Sequence, residues 1–121
     1  MTREEGNEQM STTDEEVVVI YRAVAAPEHR QRVLEAFEAI AEATHAEPGC
    51  LAWAIHQGTD DPNEFIEVSR WTDRAASDEH GATPHVQWIL GVLSEEGVLQ
   101  APGALSVTRP LGLGTAEKGR L

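Results

Sequence analysis

Apolar and polar positions change their spacing along the chain in a regular order. Residues 16–25, EVVVIYRAVA, form an apolar run dominated by β-branched side chains, the pattern of a buried strand. Pro27 then suits the first turn of a helix, where a missing N–H costs little. Val33, Leu34, Phe37, Ile40 and Ala41 follow at helical spacing, while Arg30, Glu35, Glu38 and Glu42 take the other faces. That stripe fades at Thr44, and Pro48-Gly49 ends the helix. CLAWAIHQ, residues 50–57, reads as a second strand with Leu51, Trp53 and Ile55 on one side. GTDDPN supplies turn chemistry, and EFIEVSRW, residues 64–71, reads as the hairpin partner. A short helix is predicted over 73–81. Thr83 caps a further helix with Pro84 at its first position, Val86, Ile89, Leu90 and Leu93 form its apolar stripe, and Gly97 ends it. GALSVTRPL, residues 103–111, supplies a last strand.

The resulting order, β-α-β-β-α-α-β, predicts an α+β, ferredoxin-like domain: a four-stranded antiparallel sheet with helices on one face. The strands are apolar at both parities. Val17, Val19 and Tyr21 alternate with Val18, Ile20 and Val24, and Ile66 and Val68 stand beside Phe65 and Trp71. A sheet with one wet face would be polar at alternate positions. A second copy of the sheet is the simplest cover, so a homodimer is expected. The folded unit spans roughly 16–110. Residues 1–15 are polar and acidic and are expected to be disordered, and 111–121 are expected to form a flexible tail.

Charge and cysteine content narrow the partners. The 121 residues hold 21 Asp and Glu against 9 Lys and Arg, a net charge of −12. Such a chain is a poor partner for nucleic acid or an anionic membrane surface, both of which require basic patches. Cys50 is the single cysteine, so neither an intrachain disulfide nor a cysteine-based zinc cage is available. No apolar run approaches the roughly 20 residues of a membrane span. The opening residues lack the apolar stretch of a secretory signal, so the expected location is the cytoplasm.

The run PGCLAWAIHQGTDDPNEFIEVSRWTDRAASDEHGATPHVQ resembles the antibiotic biosynthesis monooxygenase (ABM) family. The likeness is carried by Pro48, Gly49, Cys50, Trp53, Asp61, Pro62, Phe65, Trp71, His80 and Thr83-Pro84-His85, in order and at the family's spacings. It covers nearly all of 16–110 and is densest over 48–87. It implies a dimeric α+β barrel. Families of this kind include cofactor-free oxygenases of aromatic polyketides or quinols, haem-degrading relatives and a sugar-phosphate isomerase, so the shared fold does not transfer one chemistry. The chain departs from the family pattern at Val68 and Ser69, where relatives carry a tyrosine and a glutamate. Glu67 lies nearby with the parity of Ser69. The first strand also lacks the asparagine of the haem-degrading members, so haem degradation is not expected.

Several residues carry both a chemical and a structural reading. His80 is the candidate catalytic base, since an imidazole with pKa near 6.5 accepts a phenol or enol proton at neutral pH; as structure it caps a helix end. His85 lies in the first turn of the next helix, where the dipole disfavours its cation, and is a candidate ligand contact. A metal shared by these two histidines is not expected, because Gly81 and Pro84 interrupt the helix between them and Asp78 and Glu79 are the acids an acidic chain offers by chance. Trp53, Trp71, Trp88 and Phe37 are core residues or stacking walls for a flat ligand. Cys50 reads as an inert thiol, Arg22 and Arg70 as partners for an acid across a dimer or for an anionic ligand, and His29, His45 and His56 as solvated. Without a nucleotide or flavin fingerprint no cofactor is expected. The expected activity is oxygenation of a small aromatic quinol or enol that supplies its own electrons. The alternatives are a non-oxidative acid–base enzyme such as an isomerase, and a non-catalytic dimer that binds a small apolar ligand.

Overall fold

The computed structural model of the chain describes residues 15–121. The expected acidic tail therefore lies outside the described residues, except for Glu15. Among the described residues four strands and three α-helices follow one another: β1 (Val17–Val24), α1 (Arg30–His45), β2 (Cys50–Gln57), β3 (Glu64–Trp71), α2 (Arg74–Gly81), α3 (Pro84–Leu93) and β4 (Ala104–Thr108). The strands form one sheet in the order β2-β3-β1-β4, with every neighbouring pair antiparallel. This is the ferredoxin-like arrangement the sequence pattern predicts.

Pairing registers decide what faces the helices. Val17, Val19, Tyr21 and Ala23 of β1 lie opposite Trp71, Ser69, Glu67 and Phe65 of β3. Trp53 and Ile55 of β2 continue the Ser69 and Glu67 rows, and Leu105 and Val107 of β4 continue those of Tyr21 and Val19. The α1 sequence is rich in Ala and Glu and free of Gly and Pro, which favours the helix. It buries Val33, Ala36, Phe37, Ile40 and Thr44 on one face. Phe37 packs against Phe65 with ring centroids 6.1 Å apart. Phe65 and Trp71 are each only 1% exposed. Burying one such side chain stabilises the fold by about 1.5–3 kcal/mol.

Local differences from the sequence expectation have simple causes. Pro27 opens a 3-10 turn, Pro27–His29, and α1 begins only at Arg30. The apolar stripe of α1 does not end before Thr44, which is completely buried. Leu51 does not share a side with Trp53: a register shift between Cys50 and Ala52 bulges it outward, and it is 47% exposed. The α3 helix ends at Leu93, and Gly97, at φ +83°, serves the following turn instead of capping the helix. The Thr83 cap read from the sequence holds: Thr83 Oγ1 accepts from Val86 N at 3.3 Å, with Pro84 next to it. Asp73 caps α2 by accepting from Ala76 N at 2.8 Å.

The opposite sheet face carries Val18, Ile20, Ile66 and Val68. Val18 is buried at 7%, whereas Ile20 is 39% exposed. Arg22 and Arg70 find their acids within the chain. Arg22 pairs with Glu64, and Arg70 pairs with Glu16, which also meets Arg120 from the C-terminal segment. Among the described residues no helix is long and apolar enough to cross a membrane.

Candidate functional site

A cavity of about 450 Å³ lies between the helix-facing side of the sheet and the three helices. Its walls are apolar: Phe37 and Ile40 from α1, Val86, Ile89, Leu90 and Leu93 from α3, and Val19, Leu105 and Val107 from the sheet. Tyr21, Glu67, Ser77 and His80 bring polar groups, and the exposed Arg74–Asp78 ion pair, 3.1 Å, lies at the rim. Predominantly apolar walls with a few polar groups are the usual composition of a small-molecule pocket.

Glu67 is the unusual member of this lining. A strand whose inward positions are Phe65, Ser69 and Trp71 places a carboxylate among them. Ser69 Oγ donates to Glu67 Oε2 at 3.3 Å and accepts from Trp71 Nε1 at 3.0 Å, so a short relay runs from the indole to the carboxylate. Ser69 is completely buried. Thus the position where the family pattern has a glutamate holds the serine that supports Glu67, two residues back on the same face. Glu67 keeps some exposure only because the cavity opens onto it. Burial pushes its pKa up to about 7, opposed by the Ser69 hydrogen bond and by the Trp53 indole. The Trp53 N–H is buried and acts in that sense without forming a complete hydrogen bond. Tyr21 faces the same space. Its pKa is raised first by burial and then by the charge of Glu67. Gly103 is required beneath it, since a methyl group there would overlap the phenol ring.

Beside the cavity stands a second polar cluster. Glu47 Oε2 lies 2.8 Å from His80 Nδ1 and 2.7 Å from His85 Nε2. The spacing of the two histidines argued against their meeting, because they do not share a helix. The break between α2 and α3 instead turns His85 back, so that both rings reach one carboxylate from the turn before β2. Gly49 lets that turn sit against α2, since a side chain at this position would overlap Ala76 Cβ. His80 also stacks on Trp71, with ring centroids 4.5 Å apart and planes at 33°.

Of the residues singled out from the sequence, Phe37 and His80 line the cavity. Trp71 stands behind His80, and Trp53 is buried against His45, whose Nε2 lies 2.9 Å from the Trp53 carbonyl oxygen. His45 is exposed, as expected, and this contact also ties its ring to β2. His85 meets Glu47 rather than the cavity lining. Trp88 is neither core nor wall: it is 50% exposed on the outer side of α3, because Val86, Ile89, Val92 and Leu93 take the inner side. Cys50 has its pKa raised by burial and by Glu47, which disfavours the reactive thiolate. Tyr21 and Glu47 were not anticipated as site residues. The parity of Tyr21 with Val17 and Val19 pointed inward, whereas no local pattern marked Glu47.

Comparison with known proteins places this geometry in context. The profile of the family described as "Antibiotic biosynthesis monooxygenase" matches residues 16–89. The Mycobacterium tuberculosis protein named "Putative monooxygenase Rv0793" is 30% identical over 95 residues, covering 78% of this chain and 91% of the relative. Its structure superposes with a TM-score of 0.74 over 79% of this chain and 95% of the other. PA3566 of Pseudomonas aeruginosa, 26% identical, gives a TM-score of 0.72 over 82% of this chain and 97% of its own. The uncharacterised Synechocystis protein sll1783 is 26% identical over 78 residues, 64% of this chain, and the match spans 53% of that protein's length. With the family profile spanning most of the fold, from the first strand into α3, the chain belongs to the antibiotic biosynthesis monooxygenase family.

Proposed function

We propose that this protein is a cofactor-independent monooxygenase of a small, neutral aromatic quinol or enol, with Glu67 as the base. The observation that supports this most is a carboxylate of near-neutral pKa at an apolar cavity of about 450 Å³. A base is most effective when its pKa lies near the working pH. His80, the base expected from the sequence, has Nδ1 engaged by Glu47 and its ring stacked on Trp71, and serves better as a wall.

In this reading the ring rests against Phe37, Ile40, Ile89 and Leu93, and Glu67 takes a hydroxyl proton. The Tyr21 hydroxyl faces the oxyanion that develops, where a fixed donor among apolar walls stabilises charge. The anion passes one electron to O₂, and the two radicals join through a new ring C–O bond. As the O–O bond cleaves, the ring carbon gives up its hydrogen as a proton and the distal oxygen leaves with it as hydroxide, which the proton held by Glu67 converts to water. A quinol and O₂ thus give a hydroxylated quinone and water, with all four electrons drawn from the substrate.

The sheet face bearing Ile20, Ile66 and Val68 supports a homodimer in which a second copy covers it. About 800 Å² per partner is the usual size of a stable interface. Sedimentation at micromolar concentration gives a dimer on this reading, and a monomer removes it.

Oxygen uptake with a small hydroquinone tests the activity. Wild-type protein consumes O₂ and forms the hydroxylated quinone, and Glu67→Gln lowers the rate by about 10²–10⁴-fold, the usual contribution of a general base. Turnover that persists without O₂ would favour a non-oxidative acid–base enzyme, which the same carboxylate would serve equally well. Binding without turnover of any quinol or enol would favour a ligand-binding module.

A further inference from the structure

We propose that Glu47, His80 and His85 form a binding site for a divalent cation of the zinc class. One ligand atom from each residue lies within 4.8 Å of the other two. Two imidazoles and a carboxylate are a donor set that suits zinc, which binds nitrogen at about 2.0–2.1 Å and carboxylate oxygen at about 2.0–2.2 Å. In a tetrahedral site those bonds hold neighbouring ligand atoms roughly 3.4 Å apart. The two nitrogens now stand 2.8 and 2.7 Å from the carboxylate oxygen. An ion therefore enters by moving the carboxylate oxygen roughly 0.6 Å further from each nitrogen. The ion replaces the protons now shared in the two contacts, so its binding competes with protons.

Each ligand is held by a different element, which makes the set preorganised. The Glu47 turn is closed by Cys50 N donating to Glu47 O at 3.0 Å and is seated on α2 through Gly49. His80 is fixed against Trp71. His85 follows the Thr83-Pro84 bend, where Thr83 Oγ1 donates to His80 O at 2.7 Å and couples the two histidines' backbones. The three side chains are 13%, 14% and 20% exposed for His80, Glu47 and His85, so the cluster is sheltered yet open to an entering ion. Three protein ligands leave a fourth position for water. Zinc has no redox chemistry, so this site and the oxygenation reading stand or fall separately.

The test uses full-length protein without a polyhistidine tag, stripped with chelator and titrated with Zn²⁺ by calorimetry. Metal content is measured after dialysis. Wild type is expected to bind one zinc per chain. Both His85→Gln and Glu47→Gln, checked for folding by circular dichroism, are expected to weaken binding by about 100-fold or more, since losing a ligand costs more than the 10–100-fold of a lost outer partner. Absence of stoichiometric binding in the wild type, or variants that bind as well as it does, overturns the proposal. Cobalt(II) gives a readout on the unaltered protein should a variant not fold. Intense visible bands of a four-coordinate nitrogen–oxygen site support the assignment, and the weak bands of six-coordinate surface carboxylates overturn it.

Discussion

Replacing Glu67 by glutamine should stabilise the fold at pH 8 while removing the proposed activity. Glutamine has the shape of the neutral acid and cannot ionise. Burial raises the Glu67 pKa from 4.5 to about 7 in the folded protein. A raised carboxyl pKa means that the stabilising, protonated form is fully retained below the unfolded value and is lost as pH rises through the folded one. Two and a half pKa units correspond to at most about 3 kcal/mol of stability lost by the wild type above pH 7. Opening of the cavity to solvent reduces this figure. Glu67→Gln should therefore exceed the wild type by about 1–3 kcal/mol at pH 8 in urea unfolding, and by about 1 kcal/mol or less at pH 5. Both proteins must be compared at one concentration, because any assembly shifts apparent stability. A variant less stable than wild type at pH 8, or a difference that does not change with pH, would refute the reasoning.

Other perturbations follow from packing. Gly49→Ala forces the turn away from Ala76 and should cost about 1–3 kcal/mol by overpacking, read as a lower urea midpoint. Trp71→Ala should cost about 3–5 kcal/mol, whereas Trp88→Ala should stay within about 0.5 kcal/mol; equal losses would place Trp88 wrongly. Ser69→Ala removes a donor to Glu67 and should raise its pKa further, moving the pH midpoint of quinol oxidation upward; a downward shift would contradict the relay.

Much of the fold was legible because local signals agreed with one another. The β-branched run of β1, the Phe37 stripe, the Thr83-Pro84 start of α3 and the hairpin between β2 and β3 each match the observed elements. What failed depended on context. Nothing in CLAWAIHQ announces a bulge, yet one residue of slip turns Leu51 outward. Trp88 sits at a position where helical rotation, rather than residue type, decides exposure. The site was less legible than the fold. His80 and Phe37 were visible from residue type and likeness, but the site depends on convergence between distant segments. Glu47 and His85 are 38 residues apart and share a contact only because Gly49 seats a turn on α2. Glu67 did leave a trace: a charged residue at the inward parity of a strand is costly without a role or a partner.

Protonation of that one carboxyl group decides whether Glu67 can act as a base near neutral pH. A ¹³C NMR titration of the Glu67 side-chain carboxyl, assigned by its loss in Glu67→Gln, measures it directly. The midpoint should fall near pH 7, as burial dictates. A midpoint near 4.5 would show that Glu67 is fully ionised in ordinary solvent and contradict its assignment as the base of an apolar site.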